Sequence, residues 1–179
     1  PTHSQLLMNC GLPGVSHTGI GSLVTYGLGS ESRIVPGFVV VTSNSCSGVD
    51  AGTANWANGF LPSENRGVTF RAATNAVLHL RSPKGVSAAT QRARLDALGD
   101  LNRIRQAKTG DPEIASRIAA YELAFRMQSA APELLDFSSE TKATREMYGL
   151  DNKTTKAFGT NCLLARRMVE RGVRFVQLY

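Results

Sequence analysis

The sequence predicts an α/β fold in which a mostly parallel sheet is flanked by helices. Three observations carry that prediction. Phe38-Val-Val-Val-Thr42 is an apolar, mostly β-branched run, the pattern of a strand buried on both faces. The second half of the chain repeats apolar residues at helical spacing between clear start and stop signals. Val173 to Tyr179 then returns as a strand, and the order strand, helices, strand requires a crossover connection.

At 179 residues, with 42% hydrophobic and 19% charged residues, the composition is that of a globular chain and excludes a low-complexity disordered one. Residues 1–179 read as a single partial domain in two parts. Residues 1–81 form a strand-and-loop part rich in Gly, Ser, Thr and Asn, and 82–179 a mainly helical part ending in a core strand. A chain that opens at Pro1 and stops within a core strand reads as a fragment. No basic-then-apolar leader is visible, and no apolar run approaches the ~18 residues of a membrane helix.

Taken in order, Thr2 to Gly11 reads as a short helix, with Thr2 or Ser4 able to cap it and Gly11 ending it. Ile20 to Leu28 reads as a second, closed by Gly29. From Ser43 to Arg66 no periodicity appears, and loops that long in compact domains are usually functional or disordered. Short strands are expected at Val68 to Arg71 and Ala76 to Arg81.

Ser87 caps the next expected helix, which runs to about Lys108 with Leu95, Leu98 and Leu101 as its apolar side and Gly110 ending it. Asp111-Pro-Glu113 starts another, whose Ile114, Ile118, Tyr121 and Phe125 share one face until Pro132 ends or interrupts it. Ser138 or Ser139 opens a third that stops at Gly149. The fourth runs from about Lys153 to Arg171, with Phe158, Cys162, Ala165 and Val169 on one side.

The net charge of +6 permits an acidic partner without demanding one. The basic residues of 92–108 and 166–174 lie apart from most aromatics, which favours solvated helix faces over a nucleic-acid surface. Cys10, Cys46 and Cys162 are far apart and form no zinc set or closed disulfide framework. His79 sits in an apolar run as a packed strand residue, and His17 lies in a Gly/Ser loop.

Two places carry candidate chemistry. Thr2, His3 and Ser4 open a helix, where unpaired backbone N–H groups attract anions such as phosphate or sulfate; simple capping is the alternative. Asn55 and Trp56 lie in the long loop, where an aromatic beside amides suits a sugar or other polar ligand; the alternative is that Trp56 and Phe60 anchor the loop on the core.

Ordered blocks then carry a family resemblance. Leu23-Val-Thr-Tyr-Gly-Leu-Gly-Ser-Glu31, Ala54-Asn-Trp-Ala-Asn-Gly-Phe-Leu-Pro62, Tyr121-Glu-Leu-Ala-Phe-Arg-Met-Gln128 and Cys162 through Tyr179 resemble a bacterial sulfatase-like family, the domain of unknown function number 1501. The resemblance implies an alkaline-phosphatase-like fold and metal-dependent hydrolysis of sulfate or phosphate esters. It implies a divalent metal such as zinc or calcium, held by Asp and His residues before Pro1 and after Tyr179, so that the 179 residues alone bind no metal and hydrolyse nothing. It implies a periplasmic or secreted full-length protein whose partner is a sulfated or phosphorylated small molecule or polysaccharide, with no nucleic acid and no membrane. The opening run is similar to the sulfatase Cys-x-Pro-Ser-Arg segment, but lacks its Cys and Arg. Thr2 is the loose substitute for the nucleophile, and a nucleophile immediately before Pro1 is the equal alternative. The alternative reading is a non-catalytic polysaccharide- or anion-binding protein of the same fold.

Overall fold

The computed structural model describes residues 2–13, 17–43, 49, 51–71 and 85–179. Three strands form a parallel sheet in the order β2-β1-β3: β1 is Phe38–Thr42, β2 Val68–Arg71 and β3 Phe175–Leu178. All five residues of the central strand β1 are buried, as its continuous apolar run predicts. The register sets Val40 beside Thr69 on one neighbour and Gln177 on the other.

Side chains alternate across this sheet and divide the core in two. Val39 and Val41 pack with Phe70, Met127, Ala131, Leu134, Leu164 and Met168 under the helices of the second half. Phe38 and Val40 face the other way, onto Trp56, Phe175 and Tyr179. The arrangement is a mixed α/β fold, with helices α1 (Thr2–Cys10) and α2 (Ile20–Leu28) toward the second face.

The helices α3 (Ala88–Thr109) and α4 (Glu113–Leu135) pack on one another. Ser87 caps α3 by accepting the Thr90 N–H, and Gly110 ends it in the left-handed conformation, both as expected. The apolar side of α3 differs from expectation. Leu98 and Leu101 are 46% and 63% exposed, and Leu95 is half-buried. Gly99 is the buried residue, and Arg92 fixes the inward side by a paired contact with the Glu122 carboxylate of α4 at 2.5 and 2.9 Å. The guanidinium also lies 5.0 Å from the centre of the Phe125 ring.

In α4, Ile114 is buried as expected, but a second stripe of Met127, Ala131 and Leu134 reaches the sheet core. The helix continues through Pro132 to Leu135 with the ring exposed, at the cost of the bond to the Gln128 carbonyl, while Ala131 and Leu134 on either side pack into the core. The next helix, α5 (Lys142–Met147), starts later than Ser138 or Ser139. The Ser138 N–H instead donates to Asp136 Oδ1 in a turn, and Thr141 supplies the cap through its hydroxyl.

Helix α6 (Lys156–Glu170) buries Asn161, Leu164, Arg167 and Met168, whereas Phe158 and Val169 are exposed. The expected stripe is therefore rotated away from the core. Arg167 explains the rotation: its guanidinium donates to the Glu133 and Asp136 carbonyls at the end of α4 and lies 5.3 Å from the Phe137 ring centre. The long loop expected from Ser43 to Arg66 contains two 3-10 turns, Gly52–Trp56 and Ser63–Asn65. The strand expected over 76–81, with His79, lies outside the described residues, as does Cys46.

Candidate functional site

Helix α1 carries three of the five residues singled out by sequence. Thr2, His3 and Ser4 all lie within its first turn; none is a cap preceding it. Thr2 is half-buried, and His3 and Ser4 are exposed. Their side chains make no hydrogen bond to another described residue. The amides of Thr2, His3 and Ser4 have no acceptor among the described residues, and no acidic side chain occupies this turn. The turn thus carries two hydroxyls, an imidazole and backbone N–H donors.

Asn55 and Trp56 sit elsewhere, on the 3-10 turn that α1 leans against. The Trp56 ring is 4% exposed and packs on Phe38, Val40 and Tyr179, its centroid 5.6 Å from that of Tyr179. It anchors the loop on the core and presents no open face among the described residues. Phe60, the other expected anchor, is 80% exposed.

Asn55 is 1% exposed, and its amide bridges two residues one turn apart on α1. Its Nδ2 donates to Gln5 Oε1 at 3.5 Å, and its Oδ1 accepts from Asn9 Nδ2 at 3.3 Å. Asn9 Oδ1 in turn accepts from Gln177 Nε2 of β3 at 2.5 Å, and the same Nε2 donates to the Tyr179 hydroxyl at 2.7 Å. Cys10 closes the group, its thiol donating to the Ala54 carbonyl at 3.5 Å. Asn55 was visible from sequence; Gln5, Asn9, Gln177 and Tyr179 were not assigned a role. The signal that marks them is polarity out of place: amides four apart beside Leu6-Leu7-Met8, and Gln177 inside an apolar strand.

The group lies toward the carboxyl ends of β1 and β3. There the Ser43 hydroxyl donates to the Tyr179 carbonyl at 3.1 Å and accepts from Asn161 Nδ2 at 3.2 Å, although Asn161 comes from the opposite layer. Buried oxygens of Thr42, Asn161 and Gln177 have no hydrogen-bond partner among the described residues. Open parallel sheets receive ligands at this edge. A cavity of about 720 Å³ lies at the other edge, between α2, α4 and the start of β2, lined by Tyr26, Val35, Arg66, Leu123 and Met127 among others. None of the five sequence-derived residues reaches it. We therefore place the candidate site with the polar group at the carboxyl edge.

Electrostatics there follow from burial. Burial pushes the Cys10 thiol up, against a smaller opposing hydrogen bond involving His17. Burial likewise raises the Tyr179 hydroxyl to about 12, aided by Cys10 and opposed by hydrogen bonds with Gln177 and Asn9. Because the folded value exceeds the ordinary one of about 10, this group's contribution to stability is fully present below pH ~10. It falls as pH rises through about 12. In absorbance titrations of the phenolates, Tyr179→Phe should remove the highest transition; loss of a lower one instead would refute the assignment.

Among the described residues no three His, Cys, Asp or Glu side chains converge, and the polar group is made of amides, hydroxyls and the Cys10 thiol. The basic clusters noted in sequence are largely paired, Arg166 with Glu170, Arg171 with Glu133 and Arg174 with Glu31.

No curated protein and no solved structure matches this chain. A family match spans residues 2–179, every described element included, and the chain belongs to the family described as Protein of unknown function (DUF1501).

Proposed function

We propose that this chain is part of a sulfatase-like hydrolase of sulfate or phosphate esters, with an alkaline-phosphatase-like fold. The observation that carries the reading is the first turn of α1. The Thr2, His3 and Ser4 amides, which have no acceptor among the described residues, share that turn with the Thr2 hydroxyl and the His3 imidazole, on a helix tied by side-chain amides to β3. An ester's anionic group is stabilised by such N–H donors and by the positive end of the helix dipole. Thr2 is the candidate nucleophile, and His3 and Ser4 the candidate contacts to the anion. Asn55 holds the same helix further along, at Gln5 and Asn9, and Trp56 anchors the adjoining 3-10 turn on the sheet.

The reading assigns any metal to residues outside the described set, and no step here passes through one. Its substrate is a sulfated or phosphorylated small molecule or polysaccharide, met in the periplasm or outside the cell. Protein made from the complete reading frame should hydrolyse 4-nitrophenyl sulfate or phosphate, and Thr2→Ala should lower kcat by about 10²-fold or more. Full turnover in Thr2→Ala would remove Thr2 as nucleophile.

The second reading is a non-catalytic polysaccharide- or anion-binding protein of the same fold, which would meet its ligand through the exposed His3 and Ser4 at the start of α1. That protein would bind a sulfated polysaccharide without turnover. Its affinity would fall when His3 is replaced, and not when the buried Trp56 edge is trimmed to Phe.

A further inference from the structure

The amide chain that joins the 3-10 turn, α1 and β3 is built unlike ordinary core packing. Asn55 is fully enclosed, yet both atoms of its amide are used, the nitrogen on Gln5 and the oxygen on Asn9. Gln5 and Asn9 are one helical turn apart, so a single planar group grips α1 at two heights. Asn9 then passes the connection to Gln177 of β3 and also bonds the Gln5 carbonyl of its own helix at 2.9 Å. Apolar contacts contribute little to holding this helix: Leu6 is its one buried residue, while Leu7 and Met8 are 52% and 81% exposed. A helix held by so little apolar burial slides or rotates readily unless directional bonds fix it.

We propose that Asn55, acting through Asn9 and Gln177, is a positioning residue that sets the rotation and height of α1, and thereby where Thr2, His3 and Ser4 sit. The proposal rests on the reading that the first turn of α1 receives the anionic ester. It recasts Asn55 from a group that touches substrate to one that acts through α1. Rotation of a helix by one residue turns its side chains by about 100°, so a loosened grip moves a Thr2 hydroxyl out of line without unfolding the domain.

Two measurements separate this proposal from the functional reading. In hydrogen exchange of the 179-residue chain, Asn55→Ala should speed the amides of residues 6–11 at least about tenfold, with the amides of α4 and α6 unchanged. Asn9→Ala, at a half-buried position, should do the same and keeps the measurement available if Asn55→Ala does not fold. The double variant should be little worse than either single one, because both cut one chain of bonds. Unchanged α1 exchange, or acceleration spread equally over α4 and α6, overturns the proposal. In protein from the complete reading frame, Asn55→Ala should lower kcat for 4-nitrophenyl phosphate or sulfate about tenfold or more with little change in KM, the mark of misplacement. A raised KM at constant kcat overturns positioning in favour of direct substrate contact. If the parent protein turns over neither probe, the hydrolase reading fails, while the exchange data still decide whether Asn55 holds α1.

Discussion

Replacing Gly159 by alanine is expected to destabilise the chain by about 2 kcal/mol or more, although it improves helix propensity. Gly159 is buried in the first turns of α6, and a β-carbon there falls on the Tyr148 carbonyl oxygen. Tyr148 is held in turn by the α5–α6 connection, where Thr155 Oγ1 donates to the Gly149 carbonyl at 2.8 Å and Gly149 has φ +64°. The clash is with backbone, so no side-chain rotation relieves it. The propensity gain of Gly to Ala is at most about 1 kcal/mol, smaller than the strain. Thermal unfolding should show a fall of roughly 5 °C or more. Gly99→Ala in α3 is the control: a β-carbon there meets only the end of the Arg103 side chain at 3.7 Å, and its melting temperature should hold or rise. Equal behaviour of the two variants would show that the close approach of α6 to Tyr148 is not a constraint.

Arg167→Ala is expected to cost about 2–3 kcal/mol. The residue is 8% exposed, and its guanidinium satisfies two carbonyls at the end of α4 that no helical N–H can reach. It also lies 3.7 Å from the largely enclosed Glu140 carboxylate, which the substitution would leave with Arg166 alone, also at 3.7 Å. Arg167→Lys should recover only part of the loss, since one ammonium cannot reproduce the planar fork that spans Glu133 and Asp136. Denaturant unfolding of the three proteins measures this directly. Full rescue by lysine would reduce the arginine to a simple positive charge near a helix end.

Elements whose sequence contains their own stop and start signals were legible. Ser87, Gly110 and Gly29 mark ends that the structure keeps, and the β1 run needs no partner to be recognised as buried. Helix faces were harder, because a periodic stripe shows that a face exists and not what covers it. On α6 the polar residues Asn161 and Arg167 point inward because Ser43 and the end of α4 offer them bonds. Those partners are distant in sequence, so periodicity groups Phe158, Cys162, Ala165 and Val169 on one side, of which Cys162 and Ala165 are half-buried and Phe158 and Val169 exposed. The candidate site shows the same division. A helix opening with hydroxyls and a histidine is a local pattern, whereas the grip of Asn55 on Gln5 and Asn9 depends on tertiary contact.

The parallel sheet has a consequence for the order in which the chain folds. Register places Phe38 beside Phe175, so the central strand acquires one of its two partners only after every helix of the second half has been made. During synthesis β1 therefore emerges with that hydrogen-bonding edge open and with four consecutive apolar side chains, a combination that favours pairing with other chains. Ending the chain before Phe175 should raise light scattering relative to the 179-residue chain at equal concentration. Folding should also be slow for its size, because contacts so far apart must form before the core around Val39 and Val41 can close.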